Sequence, residues 1–120
     1  MAAGLAQLRL LEEQDIFAQL EKLGAQLEAE TRAALKSAEL PYTFYRYGSM
    51  FCLFFTSRPV RQLSDARTAD LDHFARFFHA LLDRGIYIAP SQFETGFLSA
   101  AHTADDIEQT ARALREALRA

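Results

Sequence analysis

Four kinds of residue here have chemistry to offer: three histidines, one cysteine, a group of arginines and a glutamate set between phenylalanines. Histidine and cysteine bind transition metals when their spacing gathers several ligands at one point. His73 and His79 are six residues apart, which places them on different faces of a helix. His102 stands just before a helix cap, where a polar ring has a structural use. No metal site is expected from this pattern. Cys52 lies inside the apolar run Met50-Phe51-Cys52-Leu53-Phe54-Phe55-Thr56. Burial there suppresses the thiolate that a nucleophile needs, so Cys52 reads as a packing residue. The glycines, at positions 4, 24, 48, 85 and 96, are too scattered to cradle a phosphate. Arg46, Arg58, Arg61 and Arg67 make one stretch locally positive. Solvated loop arginines are the plain reading of it, and an anionic ligand is the other.

Glu94 is less ordinary. In Ser91-Gln92-Phe93-Glu94-Thr95-Gly96-Phe97 it is a lone carboxylate between two aromatic residues, just after an apolar segment. If Phe93 and Phe97 are buried, the carboxylate is held in place and can accept hydrogen bonds from an amine or a hydroxyl. The plainer alternative is a surface glutamate.

These residues need a scaffold, and the composition supplies one. A chain of 120 residues is long enough for one domain with its own core, and half of it is hydrophobic. The net charge of −3 argues against a nucleic-acid partner, which needs a basic field. No stretch is apolar enough to span a bilayer, and no signal-peptide pattern opens the chain. A single cysteine cannot form an internal disulfide, which fits a reducing, cytoplasmic setting.

Residues 1–40 read as a helical lead-in. Leu5, Leu8 and Leu11 mark one helix, a break falls near Glu13–Asp15, and Ile16, Leu20, Leu23 and Leu27 mark the next. Pro41 ends it. The opening Met1-Ala2-Ala3-Gly4-Leu5 has no capping residue and looks like a cut from a longer protein. Residues 41–120 read as the α+β core. Two aromatic runs flank Gly48-Ser49, the signature of a type II′ hairpin. Ser57 to Arg67 is expected to be a polar loop. A helix follows from Leu71 with Thr68 as its cap, and it stops at Arg84-Gly85. Ile86–Ala89 and Phe97–Ser99 are expected to be short strands. A last helix begins with Thr103 and Asp106 in a capping box and carries the stripe Ile107, Ala111, Leu114, Leu118. The expected fold is α+β: a two-layer sandwich, with a small antiparallel sheet and helices on one face.

Several of these segments resemble one family. Gly48-Ser49-Met50-Phe51, Phe74 to Leu82, the run Ala89-Pro90-Ser91-Gln92-Phe93-Glu94 with Gly96-Phe97, and Ala101-His102-Thr103 with Asp105-Asp106-Ile107 resemble the C-terminal part of the glutamate-1-semialdehyde 2,1-aminomutases. The resemblance implies the small domain of a fold type I pyridoxal-phosphate enzyme of the class III aminotransferases. Such enzymes convert (S)-4-amino-5-oxopentanoate to 5-aminolevulinate in tetrapyrrole biosynthesis. It also implies a missing large domain that carries the Schiff-base lysine and the pyridoxal phosphate, and a parent homodimer held mostly by that domain. Lys22 and Lys36 are the only lysines, and neither lies in a segment resembling the Schiff-base region. By the same resemblance Glu94 is a substrate contact, flanked by Ser91 and Gln92. No catalytic, cofactor-binding or metal residue is expected in this chain, which alone is expected to be inactive and to bind no cofactor. Thr95 and Cys52 depart from the family pattern, where alanine and glycine are common. Two alternatives stay open: the small domain of another class III aminotransferase, and a free-standing α+β binding module.

Overall fold

The computed structural model describes residues 1–119. Helix α1 spans Ala2–Glu13 and helix α2 spans Ile16–Ser37, with the break at the expected place. Strands β1 (Thr43–Tyr47) and β2 (Met50–Phe54) follow, then a short helix α3 (Leu63–Ala66), helix α4 (Leu71–Leu82), a two-residue strand β3 (Gly96–Phe97) and helix α5 (Ala104–Ala117). The sheet is antiparallel throughout, in the order β1-β2-β3. The chain is α+β as expected, with one further helical turn and one strand fewer. Among the described residues no helix is long and apolar enough to cross a membrane.

Tyr47 pairs with Met50 across the hairpin, so only Gly48 and Ser49 form the connection. Gly48 has φ +57 and Ser49 is not in the left-handed region, as a type II′ turn requires at its two central positions. Phe44, Arg46, Phe51 and Leu53 share one face of the hairpin by register. That face meets the helices. Leu53 and Phe51 pack against a core built from Leu27 and Leu35 of α2, Phe74, Phe77 and Leu81 of α4, and Ile107 and Leu114 of α5. On the opposite face Phe54 is covered by Val60, Ala66 and Ala69, which is why the segment expected to be a polar loop turns helical at α3. Tyr47, Met50 and Phe97 leave the other end of that face open.

Three expectations are corrected. Ile86–Ala89 is not a strand. The second edge of β2 is taken by Gly96–Phe97, the Ile86 N–H donates to the Leu81 carbonyl at 3.0 Å, and Pro90 has no N–H to offer. Ile86 and Ile88 pack against the core without joining a ladder. The fourth strand begins one residue early, at Gly96, and is the third strand of the sheet. The cap of α4 is Asp70, whose carboxylate accepts from the His73 N–H at 2.8 Å, whereas the Thr68 hydroxyl donates to the Asp65 carbonyl at 2.7 Å. The α5 capping box forms as read, with Asp106 accepting from the Thr103 N–H at 2.7 Å and donating its own N–H to the Thr103 hydroxyl at 3.2 Å.

Helix α2 meets the hairpin through Arg46. This guanidinium bonds Glu28 at 2.8 Å, both oxygens of Glu21 at 2.8 and 3.0 Å, and the Gly48 carbonyl at 2.9 Å. It is therefore committed to the scaffold and is not part of an open anion site. A Cβ at Gly24 of α2 would collide with the Gly48 carbonyl, so a residue without a side chain lets helix and turn touch.

The Arg46 hydrogen bond, with Arg32 second, holds the Glu28 carboxyl below its ordinary value of 4.5. Arg46 lowers Glu21 in the same way, and the Thr103 backbone N–H lowers Asp106. A carboxylate depressed in the folded state stabilises above its unfolded value and loses that contribution as pH falls through the folded one. The midpoint of denaturant unfolding is therefore expected to fall as pH drops below about 4.5. Arg46→Met flattens that acid limb, measured by urea titrations across pH 3–7.

Candidate functional site

Glu94 sits at the end of a tight turn that Ser91 builds. The Ser91 hydroxyl accepts from the Phe93 N–H at 3.2 Å, and the Ser91 carbonyl accepts from the Glu94 N–H at 3.1 Å. Serine suits this position because its short oxygen reaches the backbone two residues on. Gln92, inside the turn, is buried at 3 % exposure. Its Oε1 accepts from the Phe55 N–H at 3.2 Å, just past the end of β2. Its Nε2 is buried and has no acceptor among the described residues.

After Glu94 the chain returns to the sheet. The Thr95 hydroxyl lies 3.4 Å from the Cys52 sulfur, and the Cys52 thiol reaches the Glu94 carbonyl at 4.0 Å. Cys52 is half-buried and its thiol is not reached by any basic side chain in these contacts. Thr95 and Cys52, the two departures noted in the sequence, thus touch each other. Gly96 then pairs with Phe51, and the Leu98 N–H donates to the Ser49 carbonyl at 2.9 Å. A Cβ on Gly96 would collide with the Phe51 ring, so glycine is what lets β3 close on β2 over a large aromatic side chain.

The two phenylalanines beside Glu94 are not buried, contrary to the expectation from sequence. Phe93 and Phe97 are 46 % and 63 % exposed, so burial of the aromatics does not restrain the carboxylate. The restraint comes from the turn and from β3. Phe93 lies in the turn and Phe97 on the edge strand β3, and both rings remain exposed. The Glu94 side chain is exposed and makes no hydrogen bond to the described residues. It borders a cavity of about 30 Å³ with Phe51, Cys52, Phe74, Ile88 and Gln92. A larger cavity of about 120 Å³ lies between the sheet and the helices, lined by Phe44, Leu53, Leu81 and Ile107. It is apolar, reaches the surface beside the exposed Tyr87 and Phe97, and is not bordered by Glu94.

The other candidates have structural partners. His73 packs edge-on against Phe55, with ring centroids 4.3 Å apart. His102 Nδ1 accepts from the Ser99 N–H at 2.9 Å and closes the turn before α5. Arg58, Arg61 and Arg67 are exposed. Lys22 and Lys36 are exposed on α2, and neither borders the cavity beside Glu94. The sequence reading missed the engagement of Gln92 with Phe55. Its only signal was a glutamine next to an apolar segment, which does not say whether the amide turns inward.

No protein-family model matches the chain. In amino-acid sequence, 119 residues are 56 % identical to the glutamate-1-semialdehyde 2,1-aminomutase of Thermus thermophilus, a match covering 98 % of this chain and 28 % of that protein. The chain is similar over nearly all its length to glutamate-1-semialdehyde 2,1-aminomutase. The aminomutase of Chlorobaculum tepidum is 47 % identical over 118 residues, again 98 % of this chain and 27 % of that protein. The chain thus spans about a quarter of the length of the curated aminomutases that it matches. The crystal structure of an aminomutase from Pseudomonas aeruginosa superposes with a TM-score of 0.77 at 29 % identity, over 88 % of this chain and 23 % of that one. A Sphingopyxis FumI protein, solved as its pyridoxal-phosphate internal aldimine, superposes at 0.81 with 28 % identity over 98 % of this chain and 26 % of that one. The fold is therefore that of part of these two structures.

Gly96→Ala tests how the turn is closed. Pushing a methyl group into the Phe51 ring is expected to cost about 1–3 kcal/mol of stability. Hydrogen exchange at the Leu98 amide, read by NMR, is expected to speed up more than exchange in α5.

Proposed function

We propose that this chain is the C-terminal domain of a pyridoxal-phosphate-dependent glutamate-1-semialdehyde 2,1-aminomutase. The whole enzyme would interconvert (S)-4-amino-5-oxopentanoate and 5-aminolevulinate in the cytoplasm, as a homodimer held mainly by the part outside these residues. One observation carries the reading: 56 % identity to a curated aminomutase across 98 % of this chain. The Ser91–Glu94 turn is consistent with it, because it presents a carboxylate with no partner among the described residues.

The cavity beside Glu94 does not by itself fit a pyridoxal-phosphate site. The cavity beside Glu94 is lined by no lysine or arginine, holds about 30 Å³, and is bordered mainly by apolar side chains. A cofactor phosphate needs cationic or N–H donors, and its aldehyde needs a lysine nearby. In this reading both come from the large domain. The role left to this chain is to offer Glu94 as a charged acceptor to the amino group of the substrate. Ser91 shapes the turn that carries it.

Pyridoxal phosphate added to the purified chain is expected to give no stoichiometric aldimine absorption and no borohydride-trapped lysine. Stoichiometric trapping at Lys22 or Lys36 would overturn the division of labour. Sequence upstream of the Met1 codon is expected to encode a large domain with a Schiff-base lysine; a start site there would favour the free-standing module. In the full-length enzyme, Glu94→Gln is expected to lower kcat/KM about 10-fold or more, the size of a lost charge-assisted hydrogen bond, while the internal-aldimine spectrum stays unchanged. Steady-state kinetics beside an absorption scan check both.

A further inference from the structure

The position of the Glu94 carboxylate is inherited from its backbone, since its side chain bonds to nothing among the described residues. Besides the Ser91 turn and the β3 pairing, two side-chain contacts tie that backbone to the sheet, one on each side of it. Before it, Gln92 reaches into the protein and accepts from the Phe55 N–H at 3.2 Å. After it, the Thr95 hydroxyl meets the Cys52 sulfur at 3.4 Å. Both anchors are on or just past β2, whose last residue is Phe54.

The chemistry of Gln92 is informative. Its Nε2 is buried without an acceptor among the described residues, which costs free energy. A methionine would fill the same space and leave no orphaned donor. Packing alone therefore does not call for an amide. What the amide adds is an acceptor for Phe55, whose N–H has left the ladder at the end of the strand. The amide also cannot be turned over, because Nε2 in place of Oε1 would set two donors against each other. On the far side, Cys52 pairs with Tyr45 in β1, so its side chain stands on the sheet face that α2, α4 and α5 do not cover. Thr95 reaches it from the residue directly after Glu94.

We propose that Gln92 and the Cys52–Thr95 contact are positioning residues that clamp the Ser91–Thr95 turn to β2 and thereby set where the Glu94 carboxylate stands. The inference rests on the reading of Glu94 as a substrate contact, and deepens it. The β3 pairing holds the turn only at its far end; the two side-chain anchors add fixed points on β2 before and after Glu94. A small misplacement of a substrate-orienting group is enough to slow a reaction strongly.

The first test uses the 120-residue chain and needs no catalysis. The variants are Gln92→Met, Thr95→Val, which keeps the shape and removes the hydroxyl, and Thr95→Ser, which keeps the hydroxyl. Gln92→Met is expected to speed hydrogen exchange at the Phe55 amide about 10-fold or more. The backbone order parameter of Glu94 is expected to fall from roughly 0.85 toward about 0.6 in Gln92→Met and Thr95→Val, and to hold in Thr95→Ser. An unchanged order parameter in both of the first two overturns the clamp. If Gln92→Met does not fold, the exposed Thr95 pair decides alone. The second test uses the full-length enzyme. Gln92→Met and Thr95→Val are each expected to lower kcat/KM on the order of 10-fold with Glu94 in place, and to add no further loss on top of Glu94→Gln. Equal losses in both backgrounds overturn the proposal, because they would come from general damage. If Glu94→Gln alone has ordinary kinetics while the order parameters fall as stated, the clamp stands and the substrate-contact reading fails.

Discussion

Phe55, the first residue past β2, is where the layers of this domain are joined. Its ring lies in the core against His73, Phe74 and Phe77, the last in an edge-on pair at 5.4 Å. Its carbonyl accepts from the Asp70 N–H at 3.1 Å, which fixes the start of α4. Its N–H donates to Gln92, which fixes the Glu94 turn. One residue thus satisfies its two backbone groups with two different segments while its side chain is buried among a helix's aromatics. A buried backbone N–H or carbonyl must find a partner. When a central strand ends, those groups fall outside the ladder, and here they become the attachment points for α4 and for the turn.

A second join works from the other end of the hairpin. Arg46 reaches carboxylates on α2 that are 18 and 25 residues earlier in the chain, and the glycine at position 24 admits the hairpin's own turn against the helix. Arginine suits the task because its planar fork can serve several acceptors at once. The Arg46 side chain is 14 % exposed, so its pair with the half-buried Glu28 is partly shielded from water, whereas Glu21 is open to solvent. The hairpin is therefore held at both ends, by the charge of Arg46 beside the turn and by apolar packing at Phe54 and Phe55. The turn bearing Glu94 sits on a strand with little freedom to shift.

Much of this was readable from local sequence. The Thr103–Asp106 box, the Gly48-Ser49 hairpin and the stop at Gly85 are decided by neighbours a few residues apart, so their chemistry is visible in a short window. Ile86–Ala89 was not readable, because an apolar run says that a segment is buried and cannot say that a strand edge is free to receive it. Asp70 replaced Thr68 as cap for a related reason: Thr68 found a carbonyl in the turn of α3, a helix that exists only because Phe54 needs a cover. The geometry of the candidate site was half legible. Glu94 stood out by type and surroundings, and its exposure, the inward amide of Gln92 and the Cys52–Thr95 contact depend on pairings 37 and 43 residues apart. Arg46 was misread for the same cause: a strand arginine looks like a loop arginine until its distant carboxylates are in place.

The open end of the sheet has an optical consequence. The chain contains four tyrosines and no tryptophan, and Tyr45 and Tyr47 both stand on the face turned away from α2. Ultraviolet emission therefore comes from tyrosine alone, with two of its four emitters on that surface. Anything carrying tryptophan that settled there would drain their excitation by energy transfer, giving a label-free signal of association that the isolated domain cannot produce by itself.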